Sequence, residues 1–249
     1  MPCAPCWRII SMVQNKPEKK IRHIAIIMDG NRRWAKKHRL PGLKGHSEGA
    51  ENVQRIIKAA KEFGIEYITL YAFSTENWKR SKREVEGLMS LLRYFIGNNV
   101  DKIHEEGVRL RAMGRIEMLP DRTRKVLLDA IEKTKGNKEG NLTLALSYGG
   151  RAEIADAAKK IAFDAVAGKI KPGEIDEKLF RGYLYAPDIP DPDLLIRTSG
   201  EFRISNFLLW QISYSEIWVT DTLWPDFSKD EFKTAIDAFY SRKRRYGGR

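Results

Sequence analysis

Two cysteines, Cys3 and Cys6, are all that this 249-residue chain contains, so no disulfide framework holds it together. Their C-x-x-C spacing lacks the second ligand pair that a four-coordinate zinc site requires. No apolar run approaches the roughly 18 residues that cross a bilayer; the longest near the start runs from Ile24 to Met28. The opening residues do not read as a secretory signal, because their apolar stretch is short and broken by Arg8. Also missing are the P-loop G-x-x-x-x-G-K-[ST], the dinucleotide fingerprint G-x-G-x-x-G and the nucleophile elbow G-x-S-x-G. His23, His38, His46 and His104 lack zincin spacing. ATP hydrolysis, NAD chemistry and serine hydrolysis are demoted accordingly. Disorder is excluded too, since 42% of the residues are hydrophobic. The reading is a soluble globular protein of a reducing, cytoplasmic compartment.

What is present in excess is positive charge, 45 Lys and Arg against 33 Asp and Glu, a net +12. Its placement is uneven. Residues 16–44 hold ten basic and two acidic residues, and residues 241–249 hold five basic and no acidic ones. The stretch from 45 to 240 nets −2. Two such concentrations suit a polyanion, a diphosphate or an anionic membrane surface, or are solvated basic faces.

Short apolar runs alternate with amphipathic helical patterns from Arg22 onward. Residues 24–28, 67–73, 108–113, 142–148, 194–198 and 217–220 read as strands, being apolar and rich in β-branched or aromatic side chains. Ser81-Lys-Arg-Glu84 and Ser228-Lys-Asp-Glu231 are capping boxes ahead of helical stripes, and Pro120 opens a further helix. Val53, Ile56, Ile57 and Ala60 mark one face of a helix stopped by Gly64. The expectation is a single α/β domain over residues 20–245, with a mostly parallel sheet of about six strands flanked by helices. Residues 1–19 read as an N-terminal extension, with Met12 an alternative start, and 246–249 as a tail.

In open parallel sheets ligands bind beyond the carboxyl ends of the strands, so the residues that follow each run carry the chemistry. After the first comes Asp29-Gly-Asn-Arg-Arg-Trp34, an acid able to hold Mg²⁺ followed by exposed amides at a helix start. A Gly-Asn turn with a packing tryptophan is the plainer reading. After the second comes Ser74-Thr-Glu-Asn-Trp-Lys-Arg80, a polar loop with a tryptophan wedged into it. After the fifth comes Arg197-Thr-Ser-Gly-Glu-Phe-Arg-Ile-Ser205, whose arginine forks suit a diphosphate or simply pair with Glu201. Glu216 opens the last run, where an acid is out of place unless paired or bound to a metal.

Together, Met28-Asp-Gly-Asn-Arg-Arg-Trp-Ala35, Gly45-His46, Phe73-Ser-Thr-Glu-Asn-Trp78 with Arg80, Ser147-Tyr-Gly-Gly-Arg151, the Arg197–Ser205 stretch, Glu216 and Leu223-Trp-Pro-Asp-Phe227 resemble the cis-prenyltransferases. The nearest in pattern are members making long products such as undecaprenyl diphosphate, a cell-wall lipid carrier. The resemblance spans roughly residues 20–245. It implies a homodimeric, Mg²⁺-dependent enzyme that condenses isopentenyl diphosphate onto an allylic diphosphate such as farnesyl diphosphate. The elongating chain would occupy an apolar substrate tunnel. It further implies that Asp29 binds Mg²⁺ with Glu216 and helps the allylic diphosphate leave. Gly30, Asn31 and Arg33 would hold that diphosphate, with Trp34 and His46 alongside. Ser74, Glu76, Asn77, Trp78 and Arg80 belong to the closing loop, and either Asn77 or a diphosphate oxygen takes the proton. Arg197, Arg203 and Ser205 would grip isopentenyl diphosphate.

Two positions depart from the family pattern. Gly42 stands where many relatives carry arginine, with Lys44 as a substitute charge, and Ser81 replaces a proline. The small Ala72 before the Phe-Ser loop leans towards long products. The helical faces at 53–60 and 85–96, with Leu144 and Leu146, either line the tunnel or are plain core. The tail Arg245-Tyr-Gly247 resembles an R-x-G element that reaches substrate across a dimer, and reads equally as a frayed end. Peripheral membrane contact through the product and the basic tail is expected, and no nucleic-acid partner. The rivals are a short- or medium-chain cis-prenyl diphosphate synthase, a non-catalytic subunit of the same fold and an RNA-binding protein, for which only Trp34 offers an aromatic among the basic residues.

Overall fold

A computed structural model describes residues 20–242. The N-terminal extension, Cys3, Cys6, Met12 and the Arg245–Gly247 tail lie outside the described residues. Six strands form one fully parallel sheet: β1 (His23–Ile27), β2 (Tyr67–Ser74), β3 (Val108–Met113), β4 (Gly140–Tyr148), β5 (Leu194–Arg197) and β6 (Glu216–Val219), in the order β3-β4-β2-β1-β5-β6. The six sequence runs match these strands to within two residues at either end. Among the described residues seven α-helices accompany the sheet: α1 (Asn31–Lys37), α2 (Gly42–Glu62), α3 (Lys82–Glu105), α4 (Asp121–Thr134), α5 (Gly150–Val166), α6 (Glu177–Gly182) and, after the last strand, α7 (Lys229–Ser241).

Alternation along β1 divides the interior. Ile24 and Ile26 face a large cluster built with α2, α3, α4 and α7, while Ala25 and Ile27 face a smaller one with Met113, Tyr148 and Phe207. A central strand covered on both sides explains why β1 is apolar throughout rather than alternating. Each fully buried aliphatic side chain contributes about 1.5–3 kcal/mol.

The helix boundaries follow from local chemistry. The Ser81 hydroxyl accepts the Glu84 amide at 3.4 Å and starts α3, and Ser228 and Glu231 complete a reciprocal capping box at α7. Helix α2 ends where Gly64 takes φ +69°. It begins at Gly42, eleven residues before the apolar face at Val53, because Gly45 and Gly49 there pack against Asn31 instead of presenting large apolar side chains.

Two irregularities lie at the carboxyl end of the sheet. Ala72 on β2 and Ser147 on β4 are each extra residues in the register, Tyr71 pairing with Ala145, Phe73 with Leu146 and Ser74 with Tyr148. Bulges of this kind bend a strand and re-aim its side chains beside a site.

Candidate active site

Asp29 sits two residues beyond β1, and its carboxylate organises the loops around it. Oδ2 accepts Arg197 Nη2 at 2.7 Å, Oδ1 accepts the Gly30 amide at 2.7 Å, and Arg33 Nη2 lies 3.4 Å away. Gly30 adopts φ +109°, and a Cβ there would stand 3.0 Å from Leu223, so glycine is required on both counts. Burial pushes the Asp29 carboxyl up, but the Arg197 bond and charge, with Arg33 and the Gly30 amide, outweigh it and hold the group below its ordinary value.

Arg197 ends β5 and is only 4% exposed. Besides Asp29 it donates to Ser205 Oγ at 2.7 Å and to the Arg203 carbonyl, leaving its buried Nε without a partner. Arg33 donates to the Ser199 carbonyl at 2.9 Å and to the Ser199 hydroxyl, and Thr198 Oγ1 donates to the Asp29 carbonyl at 2.6 Å. The β1 and β5 loops are thereby fastened to each other.

The loop after β2 supplies the opposite wall. Asn77 Oδ1 accepts the Ser74 amide at 3.0 Å and closes a 3₁₀ turn over Thr75–Lys79. Arg80 pairs with Glu84 at 3.0 Å. Burial, with the charges of Arg80 and Arg32 acting against Glu84, lowers the His46 imidazole to about 4, and its buried Nε2 is unpartnered. The buried Asn31 Oδ1 is unpartnered too. Both atoms are left with hydrogen-bonding capacity beside the chamber, as polar groups that bind a ligand would be.

These residues enclose a chamber of about 510 Å³ whose walls include Asp29, Asn31, His46, Ser74, Glu76, Asn77, Arg80, Arg197 and Ser205. Beneath it lies a narrower apolar cavity of about 110 Å³ between α2, α3 and the sheet. Met28, Asn31, His46, Ala72 and Leu88 belong to the walls of both. Val53, Leu88, Met89, Leu92, Phe95, Leu144 and Leu146 line the apolar part, within the faces that the sequence leaves open between a tunnel wall and plain core.

Several expected residues stand elsewhere. Arg33 and Arg203 are rim residues, Arg203 turned to Glu201. The Trp34 indole leaves the chamber to stack on His38, and its Nε1 donates to Asp226 at 2.7 Å. Trp78 packs edge-on against Phe73 and donates to Ser147 Oγ at 2.9 Å, a buttress of the loop rather than a chamber wall.

Glu216 requires a correction. It begins β6 level with Leu194 and Ile24, whereas Asp29 follows the far end of β1, about 16 Å further along the strands at the usual rise. Its carboxylate pairs with Arg242 at 2.7 Å. Within one chain the two acids therefore cannot share an ion. Among the described residues no group of three or more His, Cys, Asp or Glu could hold a metal. The lone Asp29 carboxylate fits a hydrated Mg²⁺ shared with ligand phosphates, which needs only one or two protein carboxylates.

Asn206, Tyr71 and Ser199 were not singled out from the sequence. Asn206 and Ser199 belong to polar stretches next to the arginines. Tyr71 alternates with residues of the opposite face near the end of β2, which is the signal that identifies it.

The family model Prenyltransf, described as "Putative undecaprenyl diphosphate synthase", matches residues 27–247. The chain is 52% identical over 235 residues to an isoprenyl transferase of Heliobacterium mobile, covering 94% of this chain and 90% of the relative. It is 51% identical over 227 residues to that of Thermotoga maritima, covering 91% and 97%. Among solved structures it resembles lavandulyl diphosphate synthase from Lavandula x intermedia in complex with dimethylallyl diphosphate, with TM-score 0.90, 36% identity and coverage of 92% and 99%. It also resembles a structure described as a "probable undecaprenyl diphosphate synthase" from Campylobacter jejuni, with TM-score 0.77, 36% identity and coverage of 92% and 100%.

Proposed function

The chain belongs to the cis-prenyltransferase family, and on that premise we propose that its chamber condenses isopentenyl diphosphate units onto farnesyl diphosphate with Mg²⁺. It is a prenyltransferase, and its product is a long-chain polyprenyl diphosphate such as undecaprenyl diphosphate. The single observation that carries the reading is an arginine-braced carboxylate, Asp29, at a polar chamber that opens onto an apolar cavity.

A diphosphate leaving group develops negative charge as its bond to the allylic carbon breaks. The neighbouring guanidiniums of Arg197, Arg33 and Arg80 are placed to stabilise that charge, and Mg²⁺ bound at Asp29 would add Lewis-acid stabilisation. Because His46 is neutral well above its low pKa, it serves as a hydrogen-bonding group rather than a cation. The Ala72–Leu88 apolar wall keeps water from the allylic cation until the second alkene reaches it. Asn77 is a poor base and its Oδ1 is engaged by the Ser74 amide, so its role is positional and the proton passes to a diphosphate oxygen.

A cavity of about 110 Å³ holds only a few water-sized volumes. Elongation therefore requires α3, whose Leu88 and Leu92 are half-buried, to part from α2 as the chain grows. No described helix is long and apolar enough to cross a membrane. Peripheral contact is supported by the uninterrupted exposed stretch 36–44, which carries Lys36, Lys37, Arg39 and Lys44, the apolar Leu40 and Leu43, and no acid. A homodimer is supported by the edge strand β6, where Ile217 and neighbouring Tyr214 are exposed. The test is incubation with labelled isopentenyl diphosphate, farnesyl diphosphate and Mg²⁺, with product length read by chromatography. A ladder ending in a long cis-polyprenyl diphosphate is expected; absence of any prenyl transfer, with retention of polynucleotide at high salt, overturns the reading.

A further inference from the structure

We propose that Asn206 is a positioning residue that locks the loop after β2 to the arginine loop after β5, so that the two walls of the chamber move as one. The inference rests on the prenyl-transfer reading above and assigns a role to a residue outside the motif positions considered there.

Asn206 makes contacts in three directions. Its carbonyl accepts the Gly150 amide at 2.7 Å and its Oδ1 accepts the Arg151 amide at 2.9 Å, which ties it to the start of α5. Its Nδ2 donates to Glu76 Oε1 at 2.9 Å, on the loop that carries Asn77. The preceding Ser205 holds Arg197, and Arg197 holds Asp29. One side chain thus links the β2 loop to the Arg197–Asp29 pair through adjacent residues of the same strained segment. Ser205, Asn206 and Leu208 all have positive φ, at 46°, 63° and 47°. Such a run persists only where surrounding contacts over-determine it, and it clusters at working parts of proteins.

The residue type is specified as well. An amide offers the acceptor that the Arg151 N–H requires and the donor that the Glu76 carboxylate requires. An aspartate would satisfy the first and repel the second. Asparagine also tolerates the left-handed backbone better than most residues. The junction is crowded: a Cβ on Gly149 would lie 2.7 Å from both Asn206 Nδ2 and Thr75 Oγ1. Burial raises the Glu76 carboxyl, but donation by Asn206, supported by the Ser74 and Thr75 hydroxyls, holds it below its ordinary value and keeps the acceptor charged.

The test is a double-mutant cycle of Asn206→Asp and Glu76→Gln, assayed with isopentenyl and farnesyl diphosphates. Asn206→Asp alone should lower kcat about tenfold and leave KM for isopentenyl diphosphate within about threefold, since misplaced catalytic geometry costs turnover more than binding. In the Glu76→Gln background the introduced amide donates to the introduced carboxylate, and the same substitution should cost less than about twofold. Equal losses in both backgrounds, or an effect on KM alone, would overturn the proposal. If Asn206→Asp does not fold by near-ultraviolet circular dichroism, Asn206→Gly, which suits the backbone, enters the same cycle with Glu76→Ala. The Tm values of the four proteins read the bridge without substrate, so a wild-type chain that lacks prenyl transfer refutes the parent reading while the coupling is still measured.

Discussion

His46 carries a pH dependence that follows from its surroundings. Its pKa of about 4 in the folded chain lies below the 6.5 of an exposed imidazole, so the unfolded chain takes up the proton first. The stability that depends on keeping it neutral is complete above pH 6.5 and is lost as pH falls towards 4. His23, also lowered to about 4 by burial and held between the Pro190 carbonyl and Thr69, adds a second proton to the same window. The slope of unfolding free energy against pH near 5, measured by chemical denaturation, should therefore drop by about one proton in His46→Gln. An unchanged slope would show that His46 is already protonated in the native state. At this scale the sequence was informative about residue type and silent about direction. Trp34 and Trp78 occupy the positions that the motifs imply, but an indole has two faces and one donor, and each is satisfied by local neighbours instead of the chamber.

Among the elements, the contact of α1 with α2 sets where Asn31 stands. A Cβ on Gly45 would fall 1.9 Å from the Asn31 carbonyl, which leaves no room for relaxation by a flexible side chain. Gly45→Ala should cost about 1–3 kcal/mol of stability by overpacking and displace Asn31 from the chamber, lowering turnover. Gly97→Ala is the counterpart: Gly97 lies within α3 with nothing within 4 Å of its would-be Cβ, so it should gain about 0.5–1 kcal/mol and keep full activity. Thermal melts of both, beside activity, check the pair.

The strands were legible because runs of β-branched and aromatic residues separate cleanly from capped helical stripes. Helix α5 was not, because its buried face is Gly150, Glu153, Ala157 and Ile161, too small and too polar to form an apolar stripe. Glu216 shows the same limit differently. It opens its strand, and in a parallel sheet an opening residue lies at the end opposite to the residues that follow the other strands. That placement was implicit in the strand assignment, yet the motif resemblance alone put it beside Asp29.

For the whole molecule, the net charge of +12 resolves into distinct roles. Arg197, the most buried of the named site arginines, holds Asp29 and the Ser205 segment through its two terminal nitrogens and keeps Nε unpartnered, while Arg33, Arg80 and Arg203 remain closer to solvent. The exposed basic stretch 36–44 borders the α1–α2 corner and suits an anionic surface. The exposed β6 edge leads to an expected mass of twice 28.7 kDa by light scattering in solution; a monomer at assay concentration would remove the homodimer from the account. Fold class and the loops that carry chemistry were readable from strand–helix alternation, whereas the chamber walls depend on two bulges, at Ala72 and Ser147, that no periodicity announces.

The central claim is that Asp29, braced by Arg197, drives departure of the allylic diphosphate. The most direct measurement is the single-turnover rate of isopentenyl transfer to farnesyl diphosphate with saturating Mg²⁺ in Asp29→Ala beside the wild type. With the fold preserved by circular dichroism, the account predicts a loss of about 10²–10³ in rate, the usual worth of one charge-stabilising group in a reaction centre. A variant that transfers the prenyl group at close to the wild-type rate would contradict it.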